Sequence, residues 1–123
     1  HVGMYEADAK EKGIEVTTLT VPLSDIDRAV LDGETEGFAR VHLHKGTDKI
    51  LGATIVGSHA GDIIAEYVAA MKHRFGLNKI LGTIHIYPTL AEANKYAAGN
   101  WKKATAPKKA LEILGRFHAW RRG

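Results

Sequence analysis

Cysteine is absent from this chain of 123 residues, so a disulfide framework, a thiolate metal site and a cysteine nucleophile are excluded within it. Any redox thiol in a reaction it serves has to come from elsewhere. No apolar run approaches the ~20 residues that span a bilayer, and no secretory signal pattern follows His1. The missing initiator methionine leads to the expectation of a domain belonging to a longer polypeptide. The dinucleotide fingerprint Gly-x-Gly-x-x-Gly is also missing, and Gly57-x-x-x-Gly61 lacks the Lys-Ser/Thr of a phosphate loop. Nucleotide binding is therefore not encoded here. Internal repeats, low-complexity stretches and linkers are lacking as well.

What is present suits one domain: 45% of the residues are hydrophobic, enough for a real core at this length. The net charge of +3 is uneven. Residues 1–100 hold 10 Lys and Arg against 13 Asp and Glu, whereas residues 101–123 hold 7 against the single acid Glu112. The basic character is a C-terminal property, suited to pairing with an acidic partner surface or to touching phosphate or anionic lipid.

Along the chain, Met4 to Lys12 reads as a short helix stopped by Gly13, and Ile14 to Val21 as a strand ending at Pro22. Ser24 to Leu31 reads as a turn or short helix. Phe38 to Lys45 and Ile50 to Val56 flank Gly46-Thr47-Asp48 as a hairpin. Ile63, Ile64, Tyr67, Val68, Met71 and Phe75 recur at helical spacing and predict a helix over 62–75 with that stripe on the sheet. A helical turn over 77–81, a strand over 83–86 and a helix over 89–103 rich in Ala and Gly follow. From Pro107, Leu111, Leu114, Phe117 and Trp120 line one side of a last, basic helix. Together these predict an α+β domain, a mainly antiparallel sheet flanked by helices, with a core over 1–106 and the basic helix over 107–123 packed on it or on a partner.

The chemistry is expected at Ile84-His85-Ile86-Tyr87-Pro88-Thr89-Leu90-Ala91-Glu92. Pro88 biases Tyr87 toward an extended backbone, and Thr89 with Glu92 three residues on has the spacing of a capping box. This block resembles the C-terminal His-Pro-Thr-x-x-Glu signature of the FAD-dependent pyridine nucleotide-disulfide oxidoreductases, the family of dihydrolipoamide dehydrogenase, glutathione reductase and mercuric reductase. Val2-Gly3-Met4-Tyr5-Glu6 is similar to the family's Val-Gly-Leu-Thr-Glu opening. Ile50 to Gly57, followed by Ala60-Gly61-Asp62 to Glu66, resembles its strand-then-helix core.

The resemblance implies an interface domain of a homodimer, within a polypeptide whose upstream domains bind FAD and NAD(P), and a cytoplasmic enzyme. On its own the domain is expected to bind no cofactor and to turn nothing over. Since the family usually has a strand before the Val-Gly motif, the sheet is expected to lack an edge strand. In relatives with the full signature, the His of one subunit sits beside the cysteine pair and flavin of the other, and the Glu orients it. An imidazole with a pKa near ~6.5 can exchange a thiol proton at neutral pH. Here Pro88, Thr89 and Glu92 match, but Tyr87 stands where the family has that His. A phenol with a pKa near ~10 is a poor base at pH 7 and a good hydrogen-bond donor.

The expected catalytic residues are therefore Tyr87, Glu92 and His85, with Tyr87 and Pro88 touching the cofactor and no metal site. His85, two residues earlier, is expected on the same side as Tyr87 if the segment is extended. It reads as auxiliary or packing. Mercuric reductases take up mercury through a C-terminal cysteine pair that this chain lacks, which leaves a quinone, another metal species or a small disulfide as acceptor.

Other constellations are bland. His42 and His44 share a strand face, and with His85 they would make a small metal site, but no carboxylate is spaced to join them. Ser58, His59 and Asp62 lie within one turn and cannot relay as a triad, so Ser58 or Asp62 should cap a helix. The competing function is a non-catalytic module that attaches to anionic surfaces through the basic C-terminal helix, the one route expected for membrane contact. No nucleic-acid partner is expected.

Overall fold

The β-branched runs on either side of Gly46-Thr47-Asp48 form the expected hairpin in a computed structural model, which describes residues 1–105. The helix expected over 107–123, and with it the proposed division of the chain, lies outside the described residues. The elements run β1 (Val2–Gly3), α1 (Glu6–Glu11), β2 (Val16–Pro22), a 3-10 turn (Leu23–Asp25), α2 (Asp27–Leu31), β3 (Phe38–His44), β4 (Ile50–Val56), α3 (Ala60–Lys72), α4 (Leu77–Leu81) and α5 (Glu92–Thr105). The strands make one antiparallel sheet in the order β1-β4-β3-β2.

Strand alternation sorts the two faces of this sheet. Val21 pairs with Ala39 and Ala39 with Ile55, and with Val41 and Ala53 they face the core. The opposite face is polar. There Arg40 Nε donates to Thr20 Oγ1 at 3.0 Å, and its guanidinium lies 4.4 Å from the centre of the Phe38 ring. His42 Nδ1 is 2.9 Å from Thr18 Oγ1, and burial pushes its imidazole below the usual range. His42 pairs with Gly52 but Leu43 with Ile50, so a bulge leaves Leu51 unmatched. His42 is buried while His44 is exposed and turned to the Lys45 carbonyl, so the two are not assembled with His85. Among the described residues no group of three or more His, Cys, Asp or Glu is placed to hold a metal.

The edge beside β4 is occupied: Val2 pairs with Ala53 and Gly3 with Gly52. Val2 and Gly3 are the Val-Gly motif itself, not the strand that the family usually has before it. The approach is so close that a Cβ on Gly52 would overlap the backbone of Met4, which is why only glycine serves there.

Two helices cover the core face, α3 against β4 and α5 against β2 and β3. Ala93, Ala97 and Ala98 have no exposed surface, and their small size lets α5 sit close to the sheet. The apolar stripe of α3 is narrower than predicted. Ile63, Tyr67 and Ala70 are buried, but Val68 and Phe75 are exposed, because α3 ends at Lys72 and its packed face is centred on Tyr67. No side-chain cap closes the start of α3. Ser58 instead donates to Glu34 at 2.7 Å, and Asp62 stands 3.5 Å from His59.

Candidate functional site

Between α4 and α5 the chain leaves regular structure. The predicted strand over 83–86 does not form, and the side chains of Ile84 and Ile86 are 88% and 70% exposed. The physical reason is the residue between them. His85 turns inward, where its side chain is only 4% exposed, and the flanking isoleucines are thereby turned out.

The inward side is a compact polar network. His85 Nδ1 is 2.8 Å from the Thr83 carbonyl oxygen, and Nε2 is 2.8 Å and 3.0 Å from the two carboxylate oxygens of Glu66 on α3. Asn94 Nδ2, on α5, donates both to Glu66 Oε1 and to the Ile63 carbonyl at 3.0 Å. Glu66 ends the strand-then-helix resemblance without a role of its own there, and Asn94 belongs to no motif. The one available signal was Asn94, a polar residue beside Ala93 and Ala97 on an otherwise small and apolar face.

Tyr87 points the other way from His85, so the expected common side is not found. It is 66% exposed and joined to Pro88 through a cis peptide bond. Its hydroxyl donates to Asp27 Oδ2 on α2 at 2.8 Å, and that hydrogen bond and the carboxylate charge hold the phenol above its ordinary range. Tyr87 is therefore neutral at physiological pH with its proton engaged. What it offers outward is the ring and the lone pairs of its oxygen, not a free donor. Asp27, an acidic residue in a five-residue helix, carried no signal in the sequence.

The capping box is not formed. Thr89 Oγ1 donates back to the Ile86 carbonyl at 2.6 Å, and residues 89–94 turn through i to i+3 backbone bonds before α5 begins at Glu92 rather than Thr89. Glu92 is 5% exposed, and its Oε2 has no hydrogen-bond partner among the described residues. It does not bond to Tyr87. An acidic residue in the first turn suits the helix dipole, yet an unpaired buried carboxylate oxygen is an acceptor without its donor. Beside the loop, an open groove of about 400 Å³ is bordered by Arg28, His59, Ile63, Pro88 and Leu90. Arg28 is engaged with Asp32 at 2.9 Å.

A family model described as the pyridine nucleotide-disulphide oxidoreductase dimerisation domain matches residues 1–98. The chain belongs to that family. Relatives include a dihydrolipoyl dehydrogenase of Chlamydia muridarum, 40% identical over 91 residues that make up 74% of this chain and 20% of the relative. A mercuric reductase of Lysinibacillus sphaericus is 39% identical over 104 residues, 83% of this chain and 19% of the relative. The chain thus spans about a fifth of the length of these relatives. The fold is shared with the HOCl-induced flavoprotein disulfide reductase RclA of Escherichia coli, at a TM-score of 0.74 and 23% identity over 79% of this chain and 22% of that one. The residues that the family model matches include Tyr87, Pro88, Thr89 and Glu92.

Proposed function

We propose that this chain is the C-terminal dimerisation domain of a FAD- and NAD(P)-dependent oxidoreductase, and that its Ile84–Pro88 segment closes the active site of the opposite subunit. The parent is read as a cytoplasmic homodimer with its FAD and NAD(P) domains upstream in the same polypeptide. The observation that carries this reading is the exposure of Ile84, Ile86 and Tyr87 together, within the residues that the dimerisation-domain family model matches. Large apolar side chains grouped on a surface mark a contact, and a second copy of the polypeptide is the contact this family makes.

The residues present fit a flavin site of which they form only the lid. Tyr87 and Pro88 present a flat apolar surface suited to the edge of a ring system, and the buried Glu92 oxygen is an acceptor awaiting a donor. FAD, when bound by the upstream domains, supplies electron transfer from NAD(P)H to a cysteine pair. The residues of this chain bind, orient and exclude water. Isoleucines 84 and 86 seal the joint, and Tyr87 faces the thiols with its proton held by Asp27. Since a neutral phenol engaged in this way does not accept a thiol proton, the domain is poorly equipped for ordinary dithiol chemistry. An acceptor that needs no base from this side, a quinone or a metal species, suits it better than a disulfide. Alone, the domain binds no cofactor and has no turnover.

The test is the full-length protein. Its visible spectrum during anaerobic titration with NADH and NADPH should show a bound flavin that takes up a second electron pair, with a thiolate charge-transfer band. A colourless protein overturns the proposal.

A further inference from the structure

Residues 84–88 make no backbone-to-backbone hydrogen bond within the described residues, so the placement of the loop depends on side chains. Three reach out from it or across it. Thr89 bonds to Ile86 within the loop, and Tyr87 to Asp27 at the exposed surface. His85 is different, because its tether is buried and double: both ring nitrogens face oxygen acceptors, Thr83 on one side and Glu66 on the other. Glu66 in turn accepts from Asn94, which also holds Ile63. A single carboxylate therefore joins α3, α5 and the loop.

We infer that Glu66 is a positioning residue that sets, through His85, where Ile84, Ile86 and Tyr87 stand, so that an α3 residue outside the signature block governs what that block presents. The physical basis is the strength and geometry of the contact. A hydrogen bond shared between the two oxygens of a carboxylate is stronger than a neutral one, and together with the Thr83 contact at the other ring nitrogen it holds the ring at both ends. With the ring fixed and turned inward, the neighbours on either side are forced outward. A single-point tether at Tyr87 could not do this, since it lies at the far end of the loop in water. The inference rests on the reading of this loop as the surface presented to the partner subunit, but the tether itself is independent of that reading.

The experiment uses the full-length flavoprotein with Glu66→Ala and Glu66→Gln. Limited proteolysis with a protease that cuts beside large apolar residues is followed by the rate of cleavage at Ile84 and Ile86, with cleavage in β3 and β4 as internal reference. Loss of a charge-assisted contact should speed cleavage in the loop by roughly tenfold or more in Glu66→Ala. Glu66→Gln, which keeps one acceptor, should recover part of the resistance. Cleavage in the sheet should not change in either. Unchanged cleavage in the loop, or an equal rise in the sheet, overturns the inference, because the first denies the tether and the second makes Glu66 merely structural. Rapid-reaction measurements then separate the two readings. Reduction of the flavin by NAD(P)H should be unaffected, whereas reoxidation by the acceptor should slow in the order wild type, Gln, Ala. A loosened loop with reoxidation unchanged leaves the tether standing and overturns the presentation of this loop to the opposite active site.

Discussion

The β3–β4 hairpin and the Ile84–Pro88 loop are held together by opposite means. In the hairpin the backbone is paired residue by residue apart from the bulge at Leu51, the core-facing side chains are Ala39, Val41, Leu43, Ala53 and Ile55, and no one side chain is indispensable to the register. In the loop the backbone pairs with no other backbone in the described structure, and single side chains decide its course. A sheet of this kind has its identity spread over many weak preferences and resists change at most positions. A side-chain-tethered loop concentrates its identity in Glu66, His85, Tyr87 and Asp27. A loop held in this way can change its chemistry at one side chain, such as the phenol of Tyr87, while the scaffold stays intact.

The sheet does have intolerant points, and Gly52 should give the largest effect. Gly52→Ala places a methyl group against the Met4 backbone, which cannot move without lifting β1 from the sheet. The expected loss is about 3 kcal/mol, the upper part of the range for overpacking, and denaturant midpoints of the variant and the parent measure it. An alanine accepted at little cost would mean that β1 is not seated on β4. In the loop, by contrast, Tyr87→His should leave stability within about 0.5 kcal/mol, because the side chain is exposed. Its effect belongs to chemistry. By restoring a group that titrates near neutrality, it should raise disulfide reductase activity of the full-length protein about tenfold or more. Activity that stays the same would place Tyr87 away from the thiols.

Scaffold and site were unequally readable in the sequence for the same reason that they respond differently to mutation. Alternation in Phe38–His44 and Ile50–Val56 and the 3.6-residue spacing of Ile63, Tyr67 and Ala70 are repeated signals, and the sheet, α3 and the α+β class follow from them. The family block pointed to the loop between α4 and α5. The arrangement within it was not readable. His85 between two isoleucines has the alternation of a strand, and only the presence of Glu66, nineteen positions earlier and on another element, makes it turn inward to a carboxylate instead of pairing in a sheet. Thr89 and Glu92 have capping-box spacing, yet the hydroxyl finds the nearer Ile86 carbonyl. Asp27 meets Tyr87 across sixty residues of chain, a contact that no local pattern encodes.

A smaller difference between the two regions should appear in their response to pH. Under the sheet, burial lowers the folded pKa of His42, so its neutral form is favoured in the native state. Folding stability from this group is complete above the ordinary histidine pKa of about 6.5 and is lost as pH falls below it, because the unfolded chain then binds more protons. Replacing His42 by Gln, which can still bond to Thr18, should flatten the stability profile on the acid side of neutrality. A slope that persists in the variant would assign it to another group.

The loop titrates in the opposite sense and at the other end of the scale. Asp27 raises the folded pKa of Tyr87, so the native contact belongs to the neutral phenol, is complete below the ordinary tyrosine range near ~10, and is lost as pH climbs through the raised value. Asp27→Asn keeps an acceptor oxygen but removes the charge. The Tyr87 phenolate should then form at lower pH, and difference absorbance against a Tyr87→Phe control isolates it from the other tyrosines. Because the group is exposed, stability should hardly move. An unchanged titration would mean that the phenol is not held by Asp27, and that its proton is free to be donated across the joint after all.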